Sequence, residues 1–165
     1  MKKIEEKINL ISEEIKKVEK EAVKESLIVE MKKIGIDRLP YSYSALKKFI
    51  DAETMNVHYN KHYKGYVEKL NDALSKKKYG DLELEEIIKS ISRFDKTIRN
   101  NAGGAFNHAL FWKMLSPKTQ NPGGEVLKQI KKDFKTYTTF KNKFEEVAKE
   151  RFGSGWVWLV LTKRN

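Results

Sequence analysis

Thr54-Met55-Asn56-Val57-His58-Tyr59-Asn60-Lys61-His62-Tyr63-Lys64-Gly65-Tyr66 carries two of the three histidines in this chain of 165 residues. On a helix, positions four and eight apart share a face, so the stretch predicts a polar stripe of His58, His62 and Tyr66 among apolar inward positions. Asp51 is a good N-cap for a helix from about Ala52 to Leu74, and the run from Lys76 to Asp81 reads as its exit. The third histidine, His108, falls on the inward face of a second long helix, from about Phe94 to Leu115 through the Gly103-Gly104 pair. A short amphipathic helix over Leu82 to Ile91 links the two, and the pattern predicts a helical hairpin in which His108 faces the stripe. Metal sites in helical bundles are built from side chains on facing helices in this way. Imidazole suits iron, manganese, zinc and copper alike, so residue type leaves the metal open. A hydrogen-bonded core histidine is the alternative for each of the three.

The rest of the composition narrows the chemistry. No cysteine is present, which excludes disulfides and thiolate metal sites. Lys and Arg number 34 against 23 Asp and Glu, a formal charge of +11, so the molecule attracts anions, whether phosphates, acidic proteins or a small charged substrate. Residues 1–38 nearly cancel, with ten basic and nine acidic side chains, and the basic excess belongs to residues 39–165. No apolar run reaches the length of a bilayer span and no secretory signal opens the chain, which predicts a soluble, cytoplasmic protein, with the mitochondrial matrix as the other location considered.

Three segments are expected. Over residues 1–38, Ile4, Ile8, Ile11, Ile15, Val18 and Ala22 alternate by four and three, the spacing of a coiled-coil seam, and predict an amphipathic helical extension that packs on a partner helix or on its own domain. Gly35 and the Asp37-Arg38-Leu39-Pro40 run end it. Residues 39–117 form the helical-hairpin domain. Residues 118–165 open with Pro122-Gly123-Gly124, continue through two amphipathic helices and reach Trp156-Val157-Trp158-Leu159-Val160-Leu161-Thr162, which is rich in strand formers. A lone strand needs a neighbour for its backbone groups and nothing else in the sequence reads as one, so the expectation is an incomplete sheet, or one completed by another chain. The fold class is therefore α+β, predominantly α: a coiled-coil-like helix, a helical hairpin and an incomplete α/β domain.

Leu39-Pro40-Tyr41, the run from Glu53 through His58, Lys61-His62 and Tyr66, then Asn107-His108 with Phe111-Trp112, and finally Phe152-Gly153-Ser154-Gly155-Trp156-Val157-Trp158-Leu159 resemble the iron/manganese superoxide dismutase family, in the family's own order. The resemblance runs from about Leu39 to Asn165. It implies a hairpin domain followed by an α/β domain, with one redox-active manganese or iron ion per subunit held between them. His58 and His108 match two metal ligands. His62 and Tyr66 match the pair at the substrate gateway, Tyr directed toward metal-bound solvent and His toward a neighbouring subunit, so a homodimer is implied. Trp112 and Trp156 match aromatics enclosing the metal pocket, and Trp158 matches adjacent core. Gly104 stands where iron-type members tend to carry Gln, which resembles the manganese or cambialistic pattern. The family's Asp-x-Trp-x-x-His motif, which supplies its other two ligands, does not follow Trp158 in these 165 residues.

Two functions are expected. The first is a superoxide dismutase, or a piece of one, with superoxide as substrate and the positive charge steering the anion inward. The second is a non-catalytic, dismutase-like structural subunit of a larger assembly such as a mitochondrial ribosome, binding RNA or protein through its basic surface. Neither requires a membrane.

Overall fold

A computed structural model describes residues 13–20, 33–118 and 120–162. Residues 13–20 are helical, with Ile15 and Val18 exposed. The other members of the predicted seam, Ile4, Ile8, Ile11 and Ala22, lie outside the described residues.

Helix α1 is continuous from Ala52–Val57 through a π-helical segment, His58–Tyr63, into Lys64–Lys77. Asp51 caps its start as the sequence predicts, accepting the Thr54 amide at 2.7 Å and the Thr54 hydroxyl at 2.6 Å. It runs three residues beyond the expected Leu74, and ends where Lys78 adopts a left-handed conformation (φ 56°) and returns its N–H to the Leu74 and Ser75 carbonyls. Helix α2, Leu84–Lys89, is shorter than predicted, because Glu83 and Glu86 form a capping box that fixes its start and a 3₁₀ turn, Ile91–Arg93, takes over its end. Asp95 caps α3, Lys96–Met114, by accepting the Thr97 and Ile98 amides at 2.7 and 3.1 Å, and its carboxylate also pairs with Lys77 at 2.5 Å.

The described residues fall into two compact units, one of 13–20, 33–38 and 56–109 and the other of 39–55 and 110–162. In the first, α1 buries Tyr59, Tyr63, Val67, Leu70 and Leu74, and α3 buries Ile98, Ala102, Ala105 and His108. His58, Tyr63 and Tyr66 of α1 meet His108 of α3, and Tyr66 packs on Gly104, which joins the two helices as the hairpin expected from the sequence.

The second unit buries Leu46, Met55, Trp112 and Ile130. Tyr41 donates its hydroxyl to the Trp112 carbonyl at 2.9 Å. Helices α4, Gly124–Phe134, and α5, Tyr137–Glu150, are joined by the ring contact of Phe134 with Phe140, which also meets Tyr137 and Phe144 of its own helix, and Thr136 caps α5 through the Thr139 amide. The strand expected over Trp156–Thr162 is not formed among the described residues, where 155–162 carry no ladder. A strand exists only by pairing, and no other described segment offers an edge. Trp158, expected in adjacent core, is 45 % exposed.

Candidate metal centre

The geometry begins with an irregularity in α1. At its exit the π segment sends the Lys64 N–H back to the Tyr59 carbonyl, five residues earlier. Such a turn holds more residues than an α turn and rotates the residues after it about the helix axis. The predicted stripe is accordingly modified: His58 and Tyr66 face His108, Tyr63 joins them, and His62 lies exposed with its ring edge-on to His58 at 5.9 Å.

His58 and His108 meet through their Nε2 atoms, 3.1 Å apart. His108 is 6 % exposed and points Nδ1 at the Gly104 carbonyl, 2.7 Å away. A carbonyl only accepts, so Nδ1 carries the proton and Nε2 offers its lone pair, either to a proton on His58 Nε2 or to a cation. Burial is the largest influence holding both imidazoles below the ordinary histidine range, and the neighbouring histidines add to it, although the Gly104 bond works the other way on His108. Both rings are therefore neutral near pH 7, the form that ligates metals.

The pair fits two corners of a metal's coordination sphere. Two imidazole nitrogens each about 2.0–2.1 Å from one ion, the zinc value, stand about 3 Å from each other. They do not make a whole sphere: among the described residues no group of three or more His, Asp or Glu side chains converges on a common point.

Rings shape the rest of the centre. Tyr66 lies 5.3 Å from His108, tilted 37° to it, and packs directly on Gly104. A Cβ at Gly104 would stand 2.6 Å from Cγ and Cε1 of that ring, so the absence of a side chain there is what admits Tyr66. Tyr63, which the stripe reading passed over, stacks nearly parallel to His108, with 11° between planes and 6.1 Å between centroids. A usable signal was present, since Met55, Tyr59, Tyr63, Val67, Leu70 and Leu74 advance by four and three as one apolar face. Trp112 is buried and Trp156 is 36 % exposed, its ring edge-on to Phe111 at 5.4 Å; both belong to the second compact unit, and their assignment to the pocket rests on motif.

This centre sits on a hairpin with known counterparts. Residues 33–116 match the iron/manganese superoxide dismutases, α-hairpin domain, and residues 122–165 match the C-terminal domain of the same enzymes. The chain belongs to the iron/manganese superoxide dismutase family. It is 46 % identical over 129 residues to a manganese superoxide dismutase of Acinetobacter baylyi, a match covering 75 % of this chain and 56 % of that protein. It is 41 % identical over 137 residues to a manganese superoxide dismutase of Leptolyngbya boryana, covering 78 % and 54 % respectively. The chain thus spans about half the length of the curated relatives it matches.

Proposed function

We propose that this chain supplies the hairpin half of a superoxide-disproportionating metal centre, in which His58 and His108 hold one manganese or iron ion. The observation that carries the reading is the 3.1 Å approach of two Nε2 atoms, one of them with its tautomer set by the Gly104 carbonyl. When bound, the ion supplies one-electron exchange with superoxide in both directions.

The chain's own residues do the remaining work. The Gly104 carbonyl orients His108, and burial keeps both imidazoles neutral. Tyr66, packed on Gly104 beside His108, would offer its phenol hydroxyl as a proton donor at the substrate gateway, with exposed His62, edge-on to His58, as the other gateway residue of this reading. Trp112 and Trp156 limit water access in this reading, and the +11 charge raises the encounter rate with the anion. Gly104 in place of Gln favours the manganese or cambialistic type. The reading extends to a homodimer, to boundaries near residues 38 and 117, to a cytoplasmic location, and to a partner for the N-terminal helix. Among the described residues no helix is long and apolar enough to cross a membrane. No observation favours the RNA-binding alternative, and both relatives are dismutases.

The test is a manganese(II) titration of the full chain followed by electron paramagnetic resonance, alongside superoxide disproportionation measured by pulse radiolysis. One ion per chain is expected, with binding abolished by His58→Ala and by His108→Ala. Binding that survives both substitutions overturns the reading.

A further inference from the structure

We propose that Tyr63 is a positioning residue for His108, held in place by the backbone of Asp37. The inference rests on the metal-centre reading for its purpose and on independent contacts for its geometry.

Residues 34–37 have no regular structure of their own, yet side chains of α1 grip them at four backbone groups. Asn71 accepts the Ile34 N–H through Oδ1 and donates Nδ2–H to the Ile34 carbonyl, both at 2.9 Å. The Tyr63 hydroxyl accepts the Asp37 N–H at 3.0 Å, and the Tyr59 hydroxyl donates to the Asp37 carbonyl at 2.6 Å. Positions 59, 63 and 71 repeat by multiples of four, so one edge of α1 reads the segment much as a neighbouring strand would. All four bonds go to main chain, so they fix where the segment runs whatever its side chains are.

The consequence falls on Tyr63. Its ring is 1 % exposed and lies parallel to His108 on one side, and the hydroxyl at its far end is fixed to Asp37 on the other. A phenol has two soft torsions, and pinning its tip removes the swing of the plate against the imidazole. Gly104 sets which nitrogen of His108 is protonated, and Tyr63 sets the plane in which the imidazole lies. Orienting partners of ligating histidines commonly change metal affinity by about 10–100-fold. The segment ahead of the hairpin thereby acts on a histidine 71 residues along the chain, through one side chain.

The experiment uses the full chain and two readouts. With only three histidines, ring carbon-proton correlation spectra are assigned by deleting each in turn. Tyr63→Leu, which removes the plate, is expected to move the His108 ring signals, whereas Tyr63→Phe keeps their positions, broadens them and speeds exchange of the Asp37 amide proton. Because Phe fills nearly the same space, that variant decides the matter even if Leu does not fold. His108 signals that superimpose on wild type in Tyr63→Leu, or an Asp37 amide equally protected in Tyr63→Phe, overturn the proposal. In the second readout, manganese(II) affinity of Tyr63→Leu is expected to fall at least about tenfold, and unchanged affinity overturns it too. If His58→Ala binds manganese(II) as wild type does, the metal-centre reading is what fails, and the ring spectra still decide the placement of His108.

Discussion

Aromatic residues meet opposite fates at the two ends of this chain's described structure. In the hairpin, Tyr59, Tyr63 and Tyr66 are each fixed by a second element: the first two by the backbone of Asp37, the third by the glycine face of α3. From Phe152 to Leu161 an equally apolar run stays largely exposed, Phe152 and Leu161 most of all. Composition does not separate the two stretches. What separates them is how much of each run is buried, and that decides where a substitution is felt.

The sharpest way to break this contrast is to remove a buried contact in the hairpin. Leu70 is 0 % exposed on the apolar face of α1. Leu70→Ala removes apolar contacts and leaves a cavity, at a cost of about 2–5 kcal/mol. The transition followed by circular dichroism should fall by about 4–20 °C. A loss under about 1 kcal/mol would mean that the hairpin is not packed as described.

Adjacent glycines sharpen the comparison further, because they predict opposite signs within one helix. A Cβ at Gly103 meets nothing within 4 Å, so Gly103→Ala gains helix propensity and should stabilise by about 0.5–1 kcal/mol. A Cβ at Gly104 strikes the Tyr66 ring. Overpacking typically costs about 1–3 kcal/mol, which outweighs the same propensity gain in most of that range. Thermal midpoints of the two single variants, with Gly104→Ala/Tyr66→Ala as relief, provide the check. Equal shifts for both glycines would show that Tyr66 does not rest on Gly104.

Helix positions and the inward phase of His58 and His108 were legible because they follow from period, cap and exit residues: Asp51 and the polar run after Lys76. The π turn was not legible. A count by fours from His58 puts His62 on the face of His108, whereas the apolar count through Met55, Tyr59 and Tyr63 picks out the ring that stacks there. The docking of 34–37 was hidden too, since all four bonds go to backbone and leave no mark on the side chains of Ile34 or Asp37. The strand over Trp156–Thr162 was predicted from propensity alone, and propensity without a neighbour does not make a ladder.

A smaller effect concerns acid. Lys77 is the largest influence holding the Asp95 carboxyl below its ordinary value, helped by the Ile98 and Thr97 amides. A carboxylate whose folded value is depressed contributes stability above the unfolded value near 3.9, and loses it as pH falls through the lower folded value. Asp95→Asn keeps an oxygen for the amides and removes the charge. Its stability should therefore decline less steeply below about pH 4 than that of wild type, with a modest difference at neutral pH because the pair is open to solvent. Parallel acid limbs in urea titrations at several pH values would show that the Lys77 contact does not stabilise the junction.

The least effect is expected where the contrast began. Leu161 is 87 % exposed in a stretch without a ladder, so Leu161→Lys should change stability by no more than about 0.5 kcal/mol in either direction. The same substitution becomes informative in any assembly that lays a strand or a helix against residues 155–162. There the lysine would be forced to desolvate or to disrupt the packing, and the cost would rise to the scale of a core change. Measuring Leu161→Lys beside Leu70→Ala under one set of conditions therefore reads out whether the second unit has acquired a partner. A silent Leu161→Lys means it has none, and a penalty approaching that of Leu70→Ala means the apolar run is covered in solution.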